Sequence, residues 1–248
     1  MDFLNSIILQ KIEEDTYKQA YNTTGTIGLI LMTLVVVWYT WRMRQRPWKT
    51  IPMAAIGHLF AVNTNGLVIA ISSGFAKANQ VNLAVIFVYL PLLAWALAKV
   101  FRASWSMVSE LLSFSVLSFH MVGRSGCIFT GCCGGYPCAW GLYSELAGEY
   151  LFPVVLVESL MVLGILVFLF IRTGGKNYIP DGKSMPWMLF LYGIGRFGTE
   201  FLRDNEKIWL GCSDIAFHAL FMAVVGLGLL LCITKWQSMN ATAKHFAD

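Results

Sequence analysis

Charge is what this chain has least of. Asp, Glu, Lys and Arg make up 13% of its 248 residues, against about 25% in an ordinary soluble domain. A protein so poorly supplied cannot cover a water-facing surface. With 57% hydrophobic residues and a mean hydropathy of +0.63 it reads as an integral membrane protein. Other features are missing too. Residues 1–20 carry Glu13, Glu14 and Asp15 and lack a charged start before a long apolar run, so no secretory signal peptide is expected and the first span is expected to direct insertion. There is no internal repeat, no low-complexity tract and no linker long enough to separate domains, so residues 1–248 are read as one membrane-embedded domain. The net charge of +4 would suggest acidic partners in a soluble chain. In a membrane protein the placement of Lys and Arg says more. No nucleic-acid partner, cofactor or metal is expected.

The requirement of about 20 apolar residues per crossing predicts an all-α, polytopic fold with seven transmembrane helices, at 25–41, 51–73, 80–99, 105–122, 151–171, 185–202 and 214–235. Residues 1–20 place Phe3, Leu4, Ile7, Ile8 and Ile12 near one helical face, as an interfacial helix would, with a disordered tail the alternative. Alternating the loops puts eleven basic residues on one side: Arg42, Arg44, Arg46, Lys49, Lys99, Arg102, Arg172, Lys176, Lys183, Lys235 and Lys244. The other side holds Lys11, Lys18, Lys77, Arg124, Arg203 and Lys207, with Arg196 inside the sixth helix. By the positive-inside rule the eleven mark the cytoplasm. The N-terminus is then outside, the C-terminus inside, and the 123–150 loop faces outward.

That loop continues the stretch around which the chain is organised, residues 120–140, HMVGRSGCIFTGCCGGYPCAW. It brings Gly123, Gly126, Gly131, Gly134, Gly135, four of the six cysteines and Arg124 into an otherwise apolar protein. An arginine in or beside a span costs about 2.5–3.5 kcal/mol on insertion scales, so it seldom lacks a partner or a task. Glycines there let backbone come close to a ligand.

A second polar feature lies on the sixth helix, WMLFLYGIGRFGTEFLR. Tyr192, Arg196, Glu200 and Arg203 recur at spacings of four, four and three, one stripe of a helix. Lipid cannot solvate that stripe, so it must face the bundle interior or a wet cleft. Arg196 and Glu200 at i, i+4 suit an internal ion pair. Arg124 and Arg203 then have no evident buried partner, and an anionic ligand would neutralise them. Guanidinium forks fit phosphate oxygens, and a membrane protein meets phosphate on lipid headgroups.

The cysteines admit three readings. Cys127, Cys132, Cys133 and Cys138 have four-residue gaps on either side of an adjacent pair, a poor match to zinc spacing. On an outward face they could form one or two disulfides. A reactive or redox thiol is the third reading, with Arg124 and His120 at hand to lower its pKa. Cys212 and Cys232 suit packing. His120, four residues before Arg124, suits either a general base or a helix-end histidine satisfied by backbone.

These residues resemble a known family. GRSGCIFTGCC at 123–133 is similar to the signature loop of prolipoprotein diacylglyceryl transferases, GRxGNFxNxExxG. It is more similar to a cysteine-bearing branch with H-x-x-GRxGCFxxGCCxG followed by P-x-x-WG. FPVVLVESLMVLGILVFL resembles the family's HPxQLYE segment and keeps Pro153 and Glu158. YGIGRFGTEFLRD resembles its YGxxRFxxEFxR helix, with Tyr192, Arg196, Phe197, Glu200, Phe201 and Arg203 in place. The likeness covers about 120–236. It departs at Cys127 and Cys132, which replace an asparagine and a glutamate, at Phe152, Val155 and Val157, and in lacking a His-Gly-Gly element.

The resemblance implies transfer of the diacylglyceryl group of phosphatidylglycerol to the lipobox cysteine of a preprolipoprotein, with release of glycerol phosphate, in the inner membrane of a bacterium. It implies that Arg124 and Arg196 clamp the headgroup phosphate, Glu200 orients Arg196, and Arg203 draws lipid in or anchors the helix end. His120 stands in by position as base, and Gly123, Gly126, Cys127, Gly131, Tyr192 and Glu158 join Arg203 in lining the substrate site. A reading of a different class is a membrane thiol protein using Cys127, Cys132, Cys133 and Cys138 for redox chemistry or metal binding, or a lipid-binding relative with another acceptor.

Overall fold

The computed structural model describes residues 2–72, 83–130, 133–144, 147–203 and 213–245. Among the described residues each of the seven expected stretches coincides with a helix: α1 (Asp2–Arg42), α2 (Pro47–Ser72), α3 (Leu83–Val100), α4 (Trp105–Gly123), α6 (Val154–Thr173), α7 (Ser184–Glu200) and α8 (Asp214–His245), with a short α5 (Gly126–Thr130) after α4. Among the described residues four segments are long and apolar enough to cross a bilayer: Gln19–Arg42, Trp105–Ile128, Val154–Thr173 and Ile215–Asn240. Helix α7 is shorter, at 17 residues, and carries Arg196 and Glu200.

Two expectations are refined. Residues 2–20 are helical and continuous with the first span, since α1 runs unbroken from Asp2 to Arg42. No glycine pair or proline interrupts it there, so the backbone has no reason to bend. The 123–150 segment is not wholly loop. Strands β1 (Pro137–Ser144) and β2 (Glu149–Leu151) pair antiparallel, with an irregular register between Pro137 and Leu142. The fold is therefore helical with one added hairpin.

Helix α4 is the centre. Thirteen of its residues from Met107 to His120 are buried, including Ser109, Ser113, Ser115 and Ser118. A helix apolar on all sides belongs inside a bundle. The serines do not spoil this, because their hydroxyls return to the helix's own carbonyls: Ser113 donates to Ser109 O and Ser118 to Phe114 O, each at 2.7 Å. Around α4, Trp38, Phe114 and Phe170 knit α1, α4 and α6 through edge and tilted ring contacts at 4.8–5.9 Å. Helix α6 buries Glu158, Val162, Leu166 and Leu169 and exposes Leu156, Leu160, Leu163, Val167 and Ile171, a lipid-facing stripe.

Helices α7 and α8 touch backbone to backbone. A Cβ on Gly193 would lie 2.6 Å from Ala223 N, and one on Gly226 would lie 2.5 Å from Phe190 N. Small residues permit such an approach, the usual way that helices gain packing energy in lipid. The seam fixes the face of α7 that bears Arg196.

The two ends of the bundle differ. At one, Arg42 donates to Thr173 O at 2.8 Å and Gly175 O at 2.7 Å, which satisfies carbonyls at the end of α6. The same end holds Arg172 paired with Asp181, and Glu110, fully buried, accepting from Tyr178 Oη at 2.5 Å and Ser184 Oγ at 2.6 Å. Burial and the neighbouring Glu110 carboxyl push the Tyr178 phenol up, so it stays a donor at physiological pH. The other end carries the residues of the next section.

Replacing Gly193 with valine is expected to force α7 off α8 and lower stability by about 1–3 kcal/mol. Thermal unfolding of the detergent-solubilised protein, read by tryptophan fluorescence, checks this; an unchanged midpoint would mean that the seam is not tight.

Candidate functional site

Glu158 lies in the second turn of α6, in a chain segment that offers it no local cation. Its carboxylate is the meeting point of three arginines. Oε2 takes both Nε and Nη2 of Arg124, at 2.9 and 2.8 Å; Oε1 takes Nη1 of Arg196 and Nη2 of Arg203, each at 2.9 Å. Thr199 Oγ1 stands 3.3 Å from Oε1. Each arginine comes from a different place: the C-cap of α4, the interior of α7, and the turn just after α7. Arg124 and Arg203 are thus not the unpartnered cations expected from the sequence. The ion pair between Arg196 and Glu200 does form, Nη1 to Oε2 at 2.7 Å, but Arg196 shares the same nitrogen with Glu158. Glu200 is held from its other oxygen by Ser213 Oγ at 2.7 Å.

Charge counting defines the site. Among the described residues three guanidinium groups face two carboxylates, leaving one unit of positive charge in a place lipid cannot solvate. The cluster opens at Arg124, whose side chain is 18% exposed against 6% for Arg196 and Arg203. Arg124 spends Nε–H and one Nη2–H on Glu158, so among the described residues three of its five N–H donors remain for a ligand.

A small half-open cleft of about 30 Å3 borders the cluster at Cys133, whose carbonyl accepts from Arg203; it is lined by Cys127 and Cys133, by Leu142 and Tyr143 of the hairpin, and by the 151–155 segment that leads into α6. Its walls are mainly apolar. The loop that carries Cys127 is pinned from α1: the Tyr21 hydroxyl and Cys127 Sγ are in hydrogen-bond contact at 2.9 Å, and a Cβ on Gly126 would lie 2.7 Å from Thr24 Oγ1. Gly126 is required there by close approach. Gly123 ends α4 in ordinary contact with Phe119.

His120 and Tyr192 are both buried and meet, Nε2 to Oη at 3.0 Å. Tyr192, Arg196 and Glu200 are all on the buried side of α7, as their spacing implies, and Arg203 is buried beyond its end. Among the described residues no disulfide links Cys127, Cys133 and Cys138 to one another. Cys138 sits on β1 and does not line the cleft, and Cys232 is exposed on α8 rather than packed inside. Gly131 and Cys132 lie outside the described residues. Among the described residues no three His, Cys, Asp or Glu side chains are grouped to hold a metal. Sequence reasoning passed over Tyr21, Thr199 and Ser213. Only Thr199 carried a signal, three residues after Arg196 on the same helix.

A family model described as prolipoprotein diacylglyceryl transferase matches residues 84–232. The phosphatidylglycerol–prolipoprotein diacylglyceryl transferase 2 of Clostridium perfringens is 31% identical over 130 residues, covering 49% of this chain and 50% of the relative. A phosphatidylglycerol–prolipoprotein diacylglyceryl transferase of Dehalococcoides mccartyi is 29% identical over 135 residues, covering 50% of each, and one of Clostridium tetani is 24% identical over 136 residues, covering 51% of this chain and 54% of its own. The chain thus spans about half the length of the curated relatives it matches.

Glu158→Gln removes one of two carboxylates from three buried guanidinium groups. Stability is expected to fall by about 3–5 kcal/mol, whereas Arg124→Gln, at the rim, should cost less. Unfolding midpoints of the two variants in detergent check the order; the reverse order would dethrone Glu158 as the hub.

Proposed function

The chain belongs to the prolipoprotein diacylglyceryl transferase family, and on that premise we propose that it moves the diacylglyceryl group of phosphatidylglycerol onto the lipobox cysteine thiol of a preprolipoprotein, releasing glycerol phosphate. The observation that carries the reading is the surplus of one guanidinium group over the carboxylates of the cluster among the described residues, with Arg124 its most exposed member. A phosphodiester is a monoanion, and one such headgroup neutralises that surplus.

The chemistry needs no nucleophile from the protein. The acceptor's sulfur bonds to the glyceryl carbon, the bond from that carbon to the phosphate oxygen breaks, and its electron pair leaves on the glycerol phosphate. Negative charge gathers on the departing phosphate, where Arg124 donates directly and Arg196 supports it from behind through Glu158. Glu200 and Ser213 fix Arg196, and Arg203 anchors the end of α7 against Glu158 and the Cys133 carbonyl. The thiol's proton goes to the His120–Tyr192 pair, joined at 3.0 Å at the next turn of α4 and α7.

All seven long helices cross the inner membrane of a bacterium on this reading, with the N-terminus outside and the C-terminus in the cytoplasm. The basic residues at the Arg42 and Arg172 end support that orientation, and the arginine cluster then faces the outer leaflet.

A thiol-based reading has one observation in its favour, Cys127 and Cys133 in the same cleft. Purified protein with phosphatidylglycerol and a lipobox peptide separates the two. Arg124→Ala is expected to cut glycerol phosphate release by about 10²–10³-fold, while a Cys127→Ser, Cys133→Ser double variant keeps most of it. Loss with the double variant and retention with Arg124→Ala would replace the transferase reading by the thiol one.

A further inference from the structure

The hairpin supplies no reacting group to the chemistry above, and its exposed surface is mainly apolar and aromatic, with Glu149 of β2 a charged exception. The exposed positions on β1 are Pro137, Ala139, Trp140, Leu142 and Tyr143, none of them charged. Trp140 is 71% exposed, Tyr143 56% and Tyr150 53%. The rings form two groups: Phe152 touches Tyr136 and Trp140, each at 5.2 Å, and Tyr143 meets Tyr150 at 5.3 Å. The element is tied down. Gly135 N donates to Phe152 O, Phe152 N to Tyr136 O, and Tyr136 N to Leu202 O, at 2.9, 3.0 and 3.1 Å, so it is joined to the start of α6 and the end of α7.

The opposite end of the bundle carries a matching set. Trp41, Trp48 and Trp236 are 79%, 62% and 61% exposed, and the Trp48 ring lies under Arg46 and Lys49. Arg42, next to Trp41, binds the carbonyl of Thr173, and Gln237, next to Trp236, binds that of Asp181. These tryptophans therefore lie level with the far end of α6. The 20 residues of α6 separate the two aromatic sets, about 30 Å at 1.5 Å per residue, which is the thickness of a bilayer's hydrocarbon core. Tryptophan and tyrosine, with an apolar body and a polar tip, gather at that boundary on both sides. The face between the sets is the exposed aliphatic stripe of α6, so the lipid-covered surface continues up to the hairpin.

We infer that the β1–β2 hairpin docks on lipid: its exposed aromatic rings sit in the headgroup boundary of the leaflet nearest the arginine cluster. The hairpin then sets the depth of the site. Leu142 and Tyr143 line the same cleft as Cys133, whose carbonyl accepts from Arg203, so seating the hairpin at the headgroup layer holds the arginine cluster near the level of phospholipid phosphates.

Two measurements test this. In the first, p-benzoylphenylalanine replaces Tyr150 in the full chain, reconstituted in nanodiscs whose lipids carry an acyl-chain label. Irradiation is expected to give a labelled protein–lipid adduct, at least about fivefold above the same substitution at Asn177, an exposed position in the 174–183 connection. An adduct no stronger than at Asn177, or one formed with an added lipobox peptide instead of lipid, overturns the inference, the second outcome making the hairpin the acceptor's seat. This arm needs no catalysis, so it stands even if the transferase reading fails. The second arm rests on that reading: Trp140→Ala is expected to raise the KM for phosphatidylglycerol in nanodiscs about tenfold, with kcat within twofold and no change for a short-chain lipid dispersed in detergent. A raised KM for the peptide alone counts against it.

Discussion

One carboxylate organises this protein. Glu158 is buried where an unpaired charge would cost several kcal/mol, and it is stable there because three guanidinium groups converge on its two oxygens. The dependence is mutual, since none of the arginines could be buried without it. A second carboxylate, Glu200, takes up some of the excess but not all. What remains is a binding potential held by packing, aimed through Arg124 at whatever anion approaches. The site is thus preorganised for charge before any substrate arrives, the condition under which electrostatic stabilisation is most effective.

The secondary structure serves that convergence. Helix α4 must be buried on every side to bring His120 and Arg124 to the bundle's end, and its serines achieve this by bonding to their own backbone. Helix α6 presents Glu158 inward and an aliphatic stripe outward. Helix α7 is too polar and too short to stand alone in lipid, and gains its place by lying against α8. The hairpin, bonded to both the start of α6 and the chain after α7, closes the cleft side of the cluster.

Much of this was legible in the sequence. Hydrophobic runs located the seven long helices, because the apolar length of a span is set by a single solvent dimension, but they missed how far α1 extends before residue 25 and α8 beyond residue 235, where helix continues without an apolar run. The Tyr192, Arg196, Glu200 stripe followed from helical spacing alone. The partner of Arg124 did not, since Glu158 is 34 residues away and no local pattern couples them. The hairpin was missed for a related reason: its rings read as a polar, glycine-rich loop when only cysteines and glycines are weighed, and strand pairing with an irregular register leaves no clean alternation. That the helix of residues 2–20 runs on into the first span was not legible either, because no local pattern marks continuity.

The glycine seam between α7 and α8 has a mechanical meaning. Where two helices meet through long side chains, rotamers give the joint some play, but Gly193 and Gly226 leave bare main chain on main chain, with nothing soft between. The pair behaves as one stiff wall. Any breathing that admits a bulky lipid and lets its product out must come from the wall opposite, where α5 and the segment leading into α6 border the cleft.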